Sequence, residues 1–179
     1  MKFDLHHKRV YVAGHRGLVG SALVRRLAQE HCQVLTVGRN VLDLRDQQAV
    51  YRWFDEHRPD AVFLAAARVG GIYANAAKPG DFLYDNLALE TNVIEAARRV
   101  RVGKLVFFGS SCIYPRLAPQ PMPENCLLSG PLEPTNQWYA IAKIAGLKLC
   151  EAYRQQHGCD FVSVMPTNTF TGGATISTR

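Results

Sequence analysis

Tyr139 and Lys143 stand four apart in WYAIAK, so on a helix both project from one face about a turn apart. That spacing has a chemical use. A phenol with a pKa of about 10 is a poor acid–base group at neutral pH, and a nearby ammonium stabilises its phenolate and draws it toward working range. YxxxK alone also occurs in ordinary helices as a surface pair. It gains weight from Ser110, which opens the loop of FFGSSCIYP. If an apolar strand precedes that loop, the Ser110 hydroxyl reaches the same crevice and orients a carbonyl oxygen beside Tyr139. Ser111 is the lesser candidate. Cys112 lies two residues further on. An isolated cysteine is commonly a buried, inert thiol, and it becomes reactive only where electropositive surroundings favour the thiolate.

A second constellation sits near the N-terminus. VYVAGHRGLVGSALVRRL sets Gly14, Gly17 and Gly20 after an apolar run and at the opening of an amphipathic stretch. In a strand–turn–helix context these glycines permit a tight turn, close approach to a pyrophosphate and packing of helix on sheet. The whole loop, Gly14, His15, Arg16, Gly17, Leu18, Val19 and Gly20, is therefore read as a dinucleotide cradle. Folds that choose NAD carry an acidic residue at the end of the second strand, whereas here that end reads Val37, Gly38, Arg39. The expected cofactor is NADP(H), with Arg39 and Arg16 on its 2′-phosphate. The alternative for both is a solvated surface arginine. Asp43 and Leu44 offer a carboxylate and an apolar wall to the adenine, and an exposed turn aspartate is the competing reading. Lys143 can also hydrogen-bond the nicotinamide ribose.

These groups need a scaffold. Short runs rich in Val, Leu and Phe alternate with longer amphipathic stretches, the pattern of an α/β domain with a doubly wound parallel sheet covered on both faces. The runs predict strands at 9–13, 33–37, 61–64, 104–108 and 161–165, and helices at 18–30, 47–56, 82–101 and 139–157. The segments 67–80 and 113–135 read as irregular, site-forming loops. A crevice forms where winding reverses, expected between the first and fourth strands. Gly109 to Cys112, after the fourth strand, then lie beside the glycine loop, and Phe108, Gly109, Ser110 and Ser111 are read as cofactor-binding.

The 179 residues, 47% hydrophobic, suffice for one core. No run approaches the roughly 20 apolar residues that span a bilayer, so a soluble, cytoplasmic protein without a membrane partner is expected. The five cysteines show no CxxC pair, and reduced thiols are expected. A net charge of +6 is scattered without a basic run, which argues against a nucleic-acid partner and suits a smaller phosphate-bearing ligand.

GHRGLVG, LAAARVGG, GSSCIYP and YAIAKIAGLKLCE, spread over residues 9–168, together resemble the GDP-L-fucose synthases, NADPH-dependent epimerase–reductases among the extended short-chain dehydrogenases. The resemblance implies that Ser110, Tyr139 and Lys143 form the reductase triad and that Cys112 is the base of epimerisation. It also implies GDP-4-keto-6-deoxy-mannose as substrate and places Pro166, Thr167 and Asn168, with Thr169 beside them, at the nicotinamide end. Extended relatives pair two long helices across a two-fold, which implies a homodimer through faces carrying Leu83, Leu87, Thr91, Ile94, Ala145, Leu149 and Ala152. Covering the sheet is the other use of those faces. From Thr169 the text departs from the family pattern, so residues 1–168 are expected to form the NADP-binding domain and 169–179 a tail. On that reading the chain binds NADPH and has little turnover by itself.

Overall fold

RVYVA, β1 (Arg9–Ala13), buries its last four residues, so this strand must lie inside a sheet covered on both sides. The computed structural model describes residues 3–166 and has that arrangement. With β2 (Gln33–Leu35), β3 (Ala61–Leu64), β4 (Lys104–Phe108) and β5 (Phe161–Val164), β1 forms a wholly parallel sheet in the order β2-β1-β3-β4-β5. Tyr11 and Ala13 face one core, and Val10 and Val12 face another, as the two-residue period of a strand requires. The first core takes α2 (Gln47–His57), α4 (Pro79–Arg99) and α5 (Gln137–His157), and the second takes α1 (Leu18–Leu27).

The reversal of winding lies between β1 and β3, not between the first and fourth strands as expected. AVFL is buried at three of its four positions and needs neighbours on both edges, whereas QVL of β2 is half-exposed and tolerates an edge. The chain therefore crosses back through α2 and inserts β3 at the centre. Ala13 pairs with Leu64, and Leu64 with Phe107, so β1, β3 and β4 end level and the loops that follow them share one rim.

Several boundaries also differ. Strand β2 stops at Leu35 and β5 at Val164, and α1 stops at Leu27, its last buried residue, before the chain turns into β2. Helix α4 begins at Pro79, a residue whose fixed φ and missing N–H suit a first turn. The segment 67–80 contains α3 (Ile72–Ala77), anchored by Asn75 Nδ2 donating to the carbonyls of Gly70 and Gly71. The proline-rich stretch 113–135 does not wall the main cavity. It packs Ile113, Tyr114 and Cys126 against Ile144 of α5 as a small core of its own. The boundary expected after Asn168 and the tail beyond it lie outside the described residues. Among the described residues no helix is long and apolar enough to cross a membrane.

Candidate active site

The level strand ends open onto a cavity of about 820 Å³. Gly14, His15, Arg16, Gly17, Leu18 and Val19 form one wall; Val37, Gly38, Arg39, Asp43 and Leu44 form the next. Phe108, Gly109, Ser110, Ser111 and Pro166 line the opposite rim, and Tyr139 and Lys143 reach it from α5. Thr167, Asn168 and Thr169 lie outside the described residues. Gly20 and Cys112 are not in these walls.

The glycines divide their work by contact. Gly14 has φ +85°, and a Cβ there would stand 2.6 Å from the Ala66 amide nitrogen. Gly20 is closed from behind: a Cβ would meet the Gly14 carbonyl oxygen at 2.1 Å, so this residue joins helix to loop and touches no ligand space. Gly17 has only one neighbour, the Gly14 oxygen at 3.4 Å. It also caps α1 without a side-chain acceptor, and the first turn carries no acid, so the leading N–H donors remain available to an anion. Gly38 leaves room for Arg16, whose Nη2 would lie 3.4 Å from a Cβ at that position. Arg39, with a 71% exposed side chain, stands 3.9 Å from the Asp43 carboxylate.

Around the Tyr139–Lys143 pair the electrostatics differ from expectation. The ammonium lies 5.7 Å from the centre of the Tyr139 ring, but its close partner is Glu90 on α4, 2.8 Å away and buried. Burial pushes the Tyr139 phenol above its ordinary value, and the negative charges available to Cys112 and Glu90 add to the rise. The phenol is therefore held protonated instead of being drawn toward neutrality. Ser110 accepts a long bond, 3.5 Å, from the Cys112 amide and so caps the 3-10 turn Ser111–Ile113. Burial also pushes the Cys112 thiol up, with Ser110 and the Lys143 charge pulling partly back.

At the other end, Asp43 is clamped by Arg45, whose Nη2 donates at 2.6 Å, so its carboxylate is already engaged. Arg45 also reaches Asp85 of α4 at 2.9 Å, and Asp85 accepts from Arg68 at 2.6 Å. One buried carboxylate thus ties the loops after β2 and β3 to α4.

Residues 10–177 match the NAD dependent epimerase/dehydratase family. The chain belongs to that family. Among curated members it is 57% identical to a GDP-L-fucose synthase of Sinorhizobium fredii over 166 residues, covering 93% of this chain and 53% of the relative. The chain spans about half the length of the curated relatives it matches. A GDP-mannoheptose C4 reductase from Campylobacter jejuni with NADP bound superposes with a TM-score of 0.88 at 39% identity, over 93% of this chain and 53% of that one. A GDP-L-fucose synthetase from Naegleria fowleri bound to NADP gives 0.83 at 28% identity, over 94% and 52%.

Within this epimerase/dehydratase domain, sequence reading missed Glu90, Arg45, Arg68 and Asp85. Acids in the middle of an apolar helix were the available signal, since a buried carboxylate requires a partner. The Asp85 bridge has a measurable pH signature. The Arg45 hydrogen bond lowers Asp43 to about 2. Asp85 is raised by burial but lowered more by hydrogen bonds from Arg45 and Arg68, so it ends below its ordinary value. Both acids therefore add stability that is full above the unfolded carboxylate pKa of about 4. That stability is lost as pH falls through the depressed folded values. Asp85→Asn is expected to lower the melting temperature at pH 7 and to flatten its decline in acid. Melting temperatures equal to the parent's at every pH would show that the bridge contributes nothing.

Proposed function

We propose that this chain binds NADPH and supplies the acid of a GDP-4-keto-6-deoxy-mannose 3,5-epimerase–4-reductase, the reaction type of GDP-L-fucose synthases. The observation that carries this reading is the convergence of Ser110, Tyr139 and Lys143 with the glycine loop on one cavity. Kinship at 57% identity supports the substrate class. The cradle fits a dinucleotide, because Gly14 makes the tight turn against the Ala66 backbone, Gly17 leaves space that a side chain would fill, and the start of α1 is free of acid. The pyrophosphate is assigned to residues 14–19, the 2′-phosphate to Arg39 and Arg16, the adenine wall to Asp43 and Leu44, and the nicotinamide ribose to Lys143. Phe108, Gly109, Ser111 and Pro166 take the nicotinamide end, with Thr167, Asn168 and Thr169 assigned there by resemblance.

NADPH, when bound, supplies the hydride for a C4 ketone. Ser110 orients the ketone oxygen and Tyr139 gives it a proton. A phenol kept protonated by burial enters such a step as an acid, and the charge left on its oxygen is attracted by the Lys143 ammonium. Cys112 is assigned as the base at C3 and C5, a role that requires its thiol to lose a proton against its burial, helped by Lys143.

A GDP-heptose C4 reductase is the second reading, favoured by 39% identity to the Campylobacter enzyme. The sugar reduced discriminates the two. A homodimer is also proposed, supported by exposed Tyr84 and Ile141 on α4 and α5 near the half-buried Leu83, Leu87, Ala145 and Leu149. Five free cysteines fit a reducing compartment such as the cytoplasm.

The test is a nicotinamide-fluorescence titration followed by a keto-sugar assay. NADPH is expected to bind more tightly than NADH. Tyr139→Phe should leave NADPH affinity nearly unchanged and remove the small keto-sugar reduction expected of this chain by itself. A chain that binds neither cofactor, or a phenylalanine variant with parental turnover, would overturn the reading.

A further inference from the structure

Behind the Tyr139–Lys143 pair lies a charge that the reaction chemistry above does not use. Glu90 sits in the middle of α4, fully buried, with its carboxylate against α5. The Lys143 Nζ to Glu90 Oε1 contact is 2.8 Å, and among the described residues Glu90 Oε2 has no hydrogen-bond partner. Replacing a buried ion pair by an apolar pair of similar volume is often neutral or stabilising, so a buried pair is weak evidence of a purely stabilising role. The surroundings are shaped to the two charges. A Cβ on Gly146 would lie 2.8 Å from Glu90 Oε2 and 2.5 Å from the Phe107 ring, so only glycine leaves the carboxylate its place. The Phe107 ring centre is 4.8 Å from the ammonium and holds it from a second direction.

We propose that Glu90 is a positioning residue for Lys143: its buried carboxylate, with the Phe107 ring and the gap at Gly146, fixes the ammonium at the cavity wall beside Tyr139. This deepens the cofactor reading above, in which Lys143 donates to the nicotinamide ribose. A lysine side chain loses rotamer freedom when it engages a ligand, and a counter-charge that orders it beforehand removes that cost from binding. The other titratable groups around the pair are Tyr139 and Cys150 of α5 and Cys112 of the turn after β4. Tyr139 and Cys150 are both raised chiefly by burial, with a smaller push from the Glu90 charge.

Two measurements test the assignment. The first follows the Lys143 ammonium by NMR in protein carrying isotope-labelled lysine, with the signal assigned by its loss in Lys143→Met. A paired, immobile ammonium exchanges slowly and gives a sharp signal. Glu90→Gln, close in shape but uncharged, is expected to broaden or remove it. Glu90→Asp, which keeps the charge with a shorter reach, is expected to restore part of the signal and serves on its own if the glutamine variant does not fold. The second is a double-mutant cycle in NADPH affinity. Glu90→Gln should weaken binding roughly tenfold in the parent and by less than about twofold in the Lys143→Met background. An unchanged ammonium signal in Glu90→Gln, or equal affinity losses in both backgrounds, overturns the proposal. A Lys143→Met variant that binds NADPH as tightly as the parent sinks the cofactor reading instead, and the ammonium signal then decides on Glu90 by itself.

Discussion

Gly20→Ala is expected to cost about 3 kcal/mol of folding stability and to abolish measurable NADPH binding, although Gly20 touches no part of the cavity. A methyl group there would stand 2.1 Å from the Gly14 carbonyl oxygen and 2.7 Å from its carbon. Both are backbone atoms with no rotamer to move aside. Either α1 shifts away from the loop or the loop shifts into the cavity, and each displaces the N–H donors at the start of the helix. Gly17→Ala provides the contrast. Its methyl group would have a single neighbour at 3.4 Å, so the fold should lose less than about 1 kcal/mol while the methyl occupies ligand space. Urea unfolding and fluorescence titration of both variants separate the roles. Equal stability losses would refute the division of labour, and undiminished NADPH binding by Gly17→Ala would refute the loop as the pyrophosphate cradle.

Arg39→Asp should weaken NADPH binding by about 100-fold and NADH binding by less than about threefold. The substitution turns a guanidinium facing the expected 2′-phosphate into a like charge, and NADH has no phosphate there to repel. The structure adds a reason for the size of the effect. Arg39 now balances Asp43 at 3.9 Å, so an aspartate at this position would leave two carboxylates side by side at the cavity mouth. Arg45 neutralises only the nearer one. Titration of both cofactors against parent and variant gives the ratio directly. Parallel losses for the two would remove the basis for assigning NADP.

The groups legible in the sequence are those whose geometry is local. Tyr139 and Lys143 share a helical face because four residues make about one turn, whatever packs around them. Gly14, Gly17 and Gly20 announce a strand-to-helix turn for the same reason, and the alternation of apolar runs with amphipathic stretches carries the α/β class. Strand order is not local. AVFL reads the same at an edge or at the centre, and β3 lies beside β1 because its two buried faces require covered neighbours on both edges. The charge partners were decided at the same level. Glu90 and Lys143 belong to different helices and meet only once α4 and α5 pack on one face of the sheet. Asp85 likewise meets Arg45 and Arg68 only when three separate segments converge. From the sequence, the lysine four residues on predicts a Tyr139 with a lowered pKa; in the fold the same lysine faces Glu90 and burial raises the phenol. Spacing along a helix fixes which residues can be neighbours, but desolvation and competing partners fix a group's proton affinity, and those exist only after the chain has closed around it.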